Sequence, residues 1–161
     1  MTTPPDRTET ELPQVVAILG GQWGDEGKGK IIDWAGKYFD ITARVTGGNN
    51  AGHTIYLNDE KQVFHLIPSS ITWEHLECFL GNGIVINPFV LLQEIATLRA
   101  KGFSVSSLFI SGEAHIILFY HQMLEEVQEE QRGAAEVGTT RRGIGPAYVD
   151  KIQRSGIRVN D

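Results

Sequence analysis

The sequence predicts an α/β fold with a mainly parallel sheet flanked by helices, arranged in the manner of a phosphate-loop protein. Two observations carry that prediction. Short apolar runs of strand type alternate with segments of helical period along the chain. The first such run, Val15 to Leu19, passes directly into a loop with glycines at 20, 21, 24, 27 and 29 and then into a helix-like segment, the order that an anion site at a helix N-terminus requires.

Taken in order, residues 15–20 form a buried strand, and residues 28–39 place Ile31, Ile32, Ala35, Tyr38 and Phe39 at helical spacing. Residues 41–46 give a second strand, which ends at Gly47-Gly48. The runs TIYL and QVFHLI flank the turn-rich tetrapeptide NDEK and predict a hairpin. Residues 88–101 start at Pro88, carry Leu91, Leu92, Ile95 and Leu98 as an apolar stripe and stop at Gly102, which is helix punctuation at both ends. A further strand covers 107–111. Residues 115–131 predict a helix with Ile117, Phe119, Tyr120, Met123, Leu124 and Val127 inward and an acidic far end, closed by Gly133. The following VGTTRRGIGPAYVDK is rich in glycine and hydroxyls and reads as a long ordered loop. Neither an internal repeat nor a low-complexity segment is present.

At 161 residues the chain has the size of one ordinary domain and can bury about 70% of its unfolded surface. Residues 1–14 are polar and contain proline, with no apolar core of a secretion signal, so they are expected to be a flexible leader and the protein cytoplasmic. No apolar run is long enough for a bilayer. A net charge of −6 argues against a broad nucleic-acid-binding surface. Positive charge is local: Lys28 and Lys30 form one cluster, and Arg141, Arg142, Lys151, Arg154 and Arg158 a second, which suits small phosphorylated ligands. Cys78 is the single cysteine and is expected to be a small core residue.

Three segments carry the chemistry. In QWGDEGKGK, residues 22–30, the pattern G-x-x-x-x-G-K is met by Gly24 through Lys30, but Ile31 stands where a metal-binding hydroxyl belongs. The same loop holds Asp25 and Glu26, which would repel a triphosphate. Asp25 beside a divalent cation resolves both anomalies. The competing reading is a tight turn with Asp25 as helix N-cap; the phosphate reading is preferred, with the backbone N–H groups of Gly27, Lys28 and Gly29 as cradle. Trp23 packs the loop against the core or stacks on a base, of which packing is the safer reading. In GGNNAGHT, residues 47–54, Asn49, Asn50, His53 and Thr54 stand at the carboxyl end of a strand, where open α/β sheets bind ligands. His53 suits a general acid or a donor to a developing oxyanion; His65, His75, His115 and His121 read as structural or solvated. In GTTRRGIGPAY, residues 138–148, paired threonines and arginines between glycines suit a monophosphate.

Together, QWGDEGKGK, NNAGHT and GTTRRGIGPAY, with LIPSSI and GNGIVINP, resemble the adenylosuccinate synthetase family from about residue 15 to the end of the chain. The resemblance implies a GTP-dependent ligase of purine synthesis: GTP phosphorylates the 6-oxygen of IMP, and the amino group of L-aspartate then displaces that phosphate. It implies Asp25 as the base that takes the N1 proton of IMP and touches Mg²⁺, and His53 as donor to the GTP phosphates. Gly52, through its carbonyl, is the implied second magnesium ligand. Lys28, and not the Lys30 of the bare pattern, is then the phosphate-loop lysine. GTP contacts are implied at Gly24, Asp25, Glu26, Gly27, Lys28, Gly29, Lys30, Gly52, His53 and Thr54. IMP contacts are implied at Asp25, Lys28, Asn50, Ala51, Gly52, His53 and Thr140, and at Arg154, which reaches into the neighbouring subunit of a homodimer. Family members are much longer, so residues 15–161 are expected to be the N-terminal part of one GTP- and IMP-binding domain. The sheet is then incomplete and the chain inactive alone, because guanine and aspartate recognition lie outside it. A plain phosphate-loop GTPase or kinase is the runner-up, and a nucleotide-binding or oligomerisation module the reading from another class.

Overall fold

Gly27 adopts a left-handed backbone at φ 79°, and there the chain turns into α1, Lys28–Gly36. The computed structural model describes residues 14–21, 27–57, 60–132 and 138–161. After α1 come β1 (Ile41–Arg44), the hairpin strands β2 (His53–Leu57) and β3 (Glu60–Phe64), and a 3-10 turn at Ser69–Thr72. Then follow β4 (Glu77–Leu80), β5 (Val85–Ile86), α2 (Pro88–Ala100), β6 (Leu108–Ile110), β7 (His115–Ile116), α3 (Phe119–Arg132) and α4 (Ile144–Gln153).

The sheet is parallel, as the alternation of strands and helices requires. β4 lies between β1 and β6, with Ile41 opposite Glu77 and Cys78 opposite Leu108. Phe79 and Phe109 stack across one face with centroids 4.9 Å apart. β5 and β7 form a second parallel pair, and a bridge between Gly47 and Ile84 carries the β1–β4 alignment forward to β5. The core gathers Phe64, Leu66, Ile67, Ile71, Cys78, Leu80, Ile84, Ile86, Leu91, Leu98 and Ala114 between this sheet and α2. A smaller cluster of Val85, Ile117 and Ala147 seats α4.

α2 forms where its punctuation places it. Asn87 caps it by accepting from the N–H groups of Phe89 (3.0 Å) and Val90 (3.3 Å), Pro88 sits in the first turn, and Gly102 takes φ 81° just past the end. The hairpin also forms, antiparallel with His53 opposite Phe64, although its second strand starts at Glu60 rather than at 62. Asn58 and Asp59 lie outside the described residues, as does Gly133. α1 ends at Gly36 instead of 39, β1 at Arg44 instead of 46, and the 107–111 strand is trimmed to β6.

Four expectations are corrected. Residues 14–21 pair with no strand, and Val15, Val16 and Leu19 are exposed; a run meant for burial on both faces needs neighbours on both, and no described strand supplies one. The 115–131 helix starts only at Phe119, because His115–Ile116 hydrogen-bonds as β7: the Ile117 N–H donates to the Ile86 carbonyl at 2.8 Å and the Ile116 N–H to that of Ile157 at 2.8 Å. The inward face of α3 is the opposite of the apolar one. Phe119, Met123, Leu124 and Val127 are exposed, while His121, Glu125 and Glu129 are buried. Finally, the segment expected as a long loop becomes α4 from Ile144 onward.

Candidate functional site

The described residues of the three motif segments, from Gly27, from Gly47 and from Gly138 onward, lie at the ends of these elements. Among the described residues no side chain caps α1, and the first N–H groups of any α-helix have no acceptor inside it. Its start therefore offers donors and the positive end of the helix dipole to an anion. Lys28 is the first helical residue and half-buried; Lys30 is exposed. Gly29 faces β2 so closely that a Cβ there would lie 2.8 Å from the His53 Cβ, so only glycine allows the helix to approach the histidine. The Ser69 hydroxyl donates to the Gly29 carbonyl at 2.7 Å, which fastens the helix from its other side.

His53 is thus held beside α1 at the start of β2. Burial, then the charges of Arg44 and Lys28 and the neighbouring His65, push its pKa below the ordinary histidine value. In the neutral form it retains one N–H donor. The turn before it, Asn50, Ala51 and Gly52, is exposed, and Thr54 is half-buried. His65, read as structural, holds that turn by placing Nδ1 3.1 Å from the Ala51 carbonyl.

The third loop joins the second through Arg142, whose Nη1 donates to the Asn49 carbonyl. Tyr148, on α4, accepts from the Gly47 N–H at 2.8 Å and donates to the Gly83 carbonyl at 2.8 Å. Arg44 completes the clamp: Nη2 donates to the Gly48 carbonyl at 2.6 Å and Nη1 to the carbonyls of His65 and, at 3.3 Å, Leu66. Two side-chain oxygens in these loops, Asn49 Oδ1 and Thr139 Oγ1, are buried without a partner among the described residues. Buried oxygens normally accept a hydrogen bond, so both are fitted to meet a donor.

The structure thus brings Gly27, Lys28, Gly29 and Lys30 together with His53, and links the 49–54 turn to the loop bearing Thr140, which is exposed. Arg154 stands apart at the C-terminal end of α4, in a left-handed conformation at φ 62° and exposed. Trp23, Gly24, Asp25 and Glu26 lie outside the described residues. Within the second basic cluster, Arg158 pairs with Asp161 and Glu113 at 2.8 and 2.6 Å, and Lys151 donates to the Asn82 carbonyl at 2.6 Å. Among the described residues no three His, Cys, Asp or Glu side chains gather as a metal site.

Sequence reasoning missed Arg44, Glu94 and the buried acids of α3. Nothing in their local pattern marks them, since each acts on the backbone of a segment distant in sequence. The Glu94 carboxylate, for instance, accepts the N–H groups of His65 (2.5 Å), Leu66 (3.1 Å) and Ile67 (2.9 Å) from its place on α2.

A parallel sheet flanked by helices, with a histidine against the glycine-led start of one helix and two polar glycine loops at the strand ends, defines an α/β protein with polar groups gathered where open sheets of this class carry their sites. Comparison with known proteins narrows this. The adenylosuccinate synthetase family model matches residues 17–161, and the chain belongs to that family. It is 53% identical over 146 residues to the adenylosuccinate synthetase of Heliobacterium modesticaldum, covering 91% of this chain and 34% of that one. It is 55% identical over 144 residues to that of Acetivibrio thermocellus, covering 89% and 34%. The fully ligated adenylosuccinate synthetase of Plasmodium falciparum superposes with a TM-score of 0.85 at 47% identity, over 92% of this chain and 35% of that one. A succinoaminodeoxyadenylate synthetase of cyanophage S-2L, bound to dGMP and dATP, gives 0.70 at 30% identity, over 87% and 39%. The chain therefore spans about a third of the length of the relatives it matches.

Proposed function

We propose that this chain supplies the phosphate-transfer half of an adenylosuccinate synthetase site, in which GTP phosphorylates IMP on its 6-oxygen before L-aspartate displaces the phosphate. What supports the reading is one convergence: Gly29 lies against His53, and Arg142 reaches the carbonyl of Asn49, so the three family motifs meet at one place.

The roles are those that the family resemblance implies, and the chemistry of each group suits them. The N–H groups at the start of α1, with Lys28 and Lys30, carry the GTP phosphates together with Gly24, Asp25, Glu26, Gly52 and Thr54. Neutral His53 donates its N–H to phosphate oxygens as the leaving GDP gains charge. Asp25 takes the proton from N1 of IMP, which makes the 6-oxygen the better nucleophile toward the γ-phosphorus. Asn50, Ala51, Gly52 and Thr140 hold IMP, and Arg154 serves the site of a second copy in a homodimer. Of the two residues assigned to Mg²⁺, the described one is Gly52, which offers a carbonyl in an exposed turn. A carbonyl is a hard oxygen donor, the ligand type Mg²⁺ takes, so the residue fits the ion. When bound, the ion neutralises phosphate charge. The protein works in the cytoplasm, away from nucleic acid and membrane; no described helix is long and apolar enough to cross a bilayer.

Calorimetry on the 161-residue chain with IMP, and with GTP in the presence of Mg²⁺, tests the binding half. Joining the chain to the remaining length of the Heliobacterium relative tests the chemistry. Turnover of IMP, GTP and aspartate to adenylosuccinate is expected from the joined protein and not from the chain alone. In the joined protein His53→Asn should lower kcat roughly 100- to 1000-fold with little change in KM for GTP. GTP hydrolysis without IMP would replace the ligase reading with that of a plain GTPase. Nucleotide binding with no turnover in the joined protein would leave only a binding module.

A further inference from the structure

The acidic end of α3 is not a solvated face. Glu125 and Glu129 are one helical turn apart, about 6 Å along the axis, and are 7% and 1% exposed. Glu126 and Glu130, next to them in sequence, face solvent. The two buried carboxylates grip opposite ends of the segment that opens the third motif. Glu129 Oε2 accepts the Gly138 N–H at 3.1 Å, while its Oε1 accepts from Arg132 at 2.7 Å. Glu125 Oε2 accepts the Gly143 N–H at 2.7 Å. Gly143 lies at φ 77° with its missing Cβ 2.9 Å from the Gln122 nitrogen and the His121 Cβ, so the segment is pressed onto α3 at the very point Glu125 holds it.

We propose that Glu125 and Glu129 are positioning residues for the 138–143 turn, pinning its two ends so that Thr140 and Arg142 are set in place before a phosphorylated ligand arrives. The inference rests on the reading of Thr140 as an IMP contact and goes beyond it, since neither acid lies in the three segments that carry the chemistry. Its logic is that of preorganisation: with Gly138 and Gly143 tied inward, Thr140 stays outward and exposed and Arg142 spans to the Asn49 carbonyl. Hydrogen bonds to a buried carboxylate are charge-assisted, and so stronger than bonds to a carbonyl. In Glu129 both oxygens accept, so a glutamine there presents an NH₂ group to one of its donors and breaks that grip.

The sign of the effect makes the idea testable. Removing a carboxylate near an anion site should, by relief of Coulomb repulsion alone, tighten anion binding; loss of positioning loosens it. IMP affinity is measured by calorimetry on the 161-residue chain and on Glu129→Gln, Glu125→Ala and the solvent-facing control Glu126→Gln. Amide hydrogen exchange at Gly138 and Gly143 is read in the same samples. The expected result is IMP affinity roughly 10- to 100-fold weaker in Glu129→Gln and Glu125→Ala, the scale of one lost charge-assisted hydrogen bond. Protection should fall at the corresponding glycine, GTP affinity should hold, and Glu126→Gln should match the parent chain. Equal or tighter IMP binding per folded molecule in both variants overturns the proposal, as does unchanged protection at both glycines. If the parent chain binds no IMP while the variants still lose protection, the nucleotide reading fails and the purpose assigned to the turn fails with it, but the pinning itself stands.

Discussion

His53 shows at the scale of one residue how a site is tuned by what surrounds it. Its ring is half-buried with Arg44, Lys28 and His65 about it, and burial followed by those charges disfavours the proton. The folded chain therefore holds the neutral form to lower pH than the unfolded chain, whose histidine titrates near 6.5. Its contribution to stability is complete above that value; it declines as pH drops below about 6.5 and is gone once pH has passed the depressed folded value. In an NMR titration Lys28→Met should move the His53 pKa back up, and an unmoved pKa would mean that the lysine does not share the histidine's surroundings. Cys78 gives a second residue-scale expectation. Burial raises its thiol to about 11, so reaction with a disulfide reagent at pH 8 should run roughly 100-fold slower than for an open thiol and accelerate only on unfolding.

At the scale of elements, contacts that hold the loops of the candidate site come from side chains on α2, α3, α4 and β1. Glu94 on α2 accepts three consecutive backbone N–H groups at residues 65–67, the segment that also takes Arg44. Glu94→Ala would leave those donors buried and unpaired, and urea unfolding should show a loss on the order of 3 kcal/mol. A loss within experimental error would mean that water replaces the carboxylate. Gly36→Ala should also destabilise, although alanine is the better helix former by up to ~1 kcal/mol. Its Cβ would lie 2.8 Å from Trp73 Cδ1 and 2.9 Å from Leu76 Cδ1, so the thermal midpoint should fall rather than rise. These elements also mark how far the sequence could be read. α2 is legible because its signals, Pro88 at the start and Gly102 after the end, are local; the Asn87 cap emerges only in the structure. The parallel sheet and the hairpin followed from alternation and a turn. The inward face of α3 was not legible, since hydrophobic periodicity assigns a carboxylate to water unless a backbone donor elsewhere in the chain claims it, as Gly143 claims Glu125. For the same reason GTTRRGIGPAY hid a helix: α4 begins inside a run of turn residues and is seated by Ala147 and Ile144 on Val85 and Ile117.

Across the whole molecule, the described residues leave apolar surface outside the core on several elements, α1, α2 and β6 among them, and three stretches serve to show how this sets its solution behaviour. Leu19 is 84% exposed and Val15 86%, on the strand-like run that pairs with nothing described. Phe119 (75%), Met123, Leu124 and Val127 make an apolar stripe on the outer side of α3. Ile152 (78%) and Val149 do the same on α4, beside a shallow hollow of about 370 Å³ that they line with Tyr148 and Gln153. Single exposed aliphatic residues are ordinary, but contiguous stripes of this kind favour association. The formal charge of −6 opposes it, with a repulsion that salt screens within about 10 Å at 0.1 M. The 161-residue chain should therefore self-associate at micromolar concentration, more strongly as salt rises, and light scattering should show a mass above 17.8 kDa. Replacing Met123 and Val127 with lysine removes apolar surface from the α3 stripe without touching Glu125 or Glu129, and should shift the population toward monomer while leaving the helical circular dichroism unchanged. A strict monomer at every salt concentration, with a high melting temperature, would show that these faces are too small or too scattered to drive association.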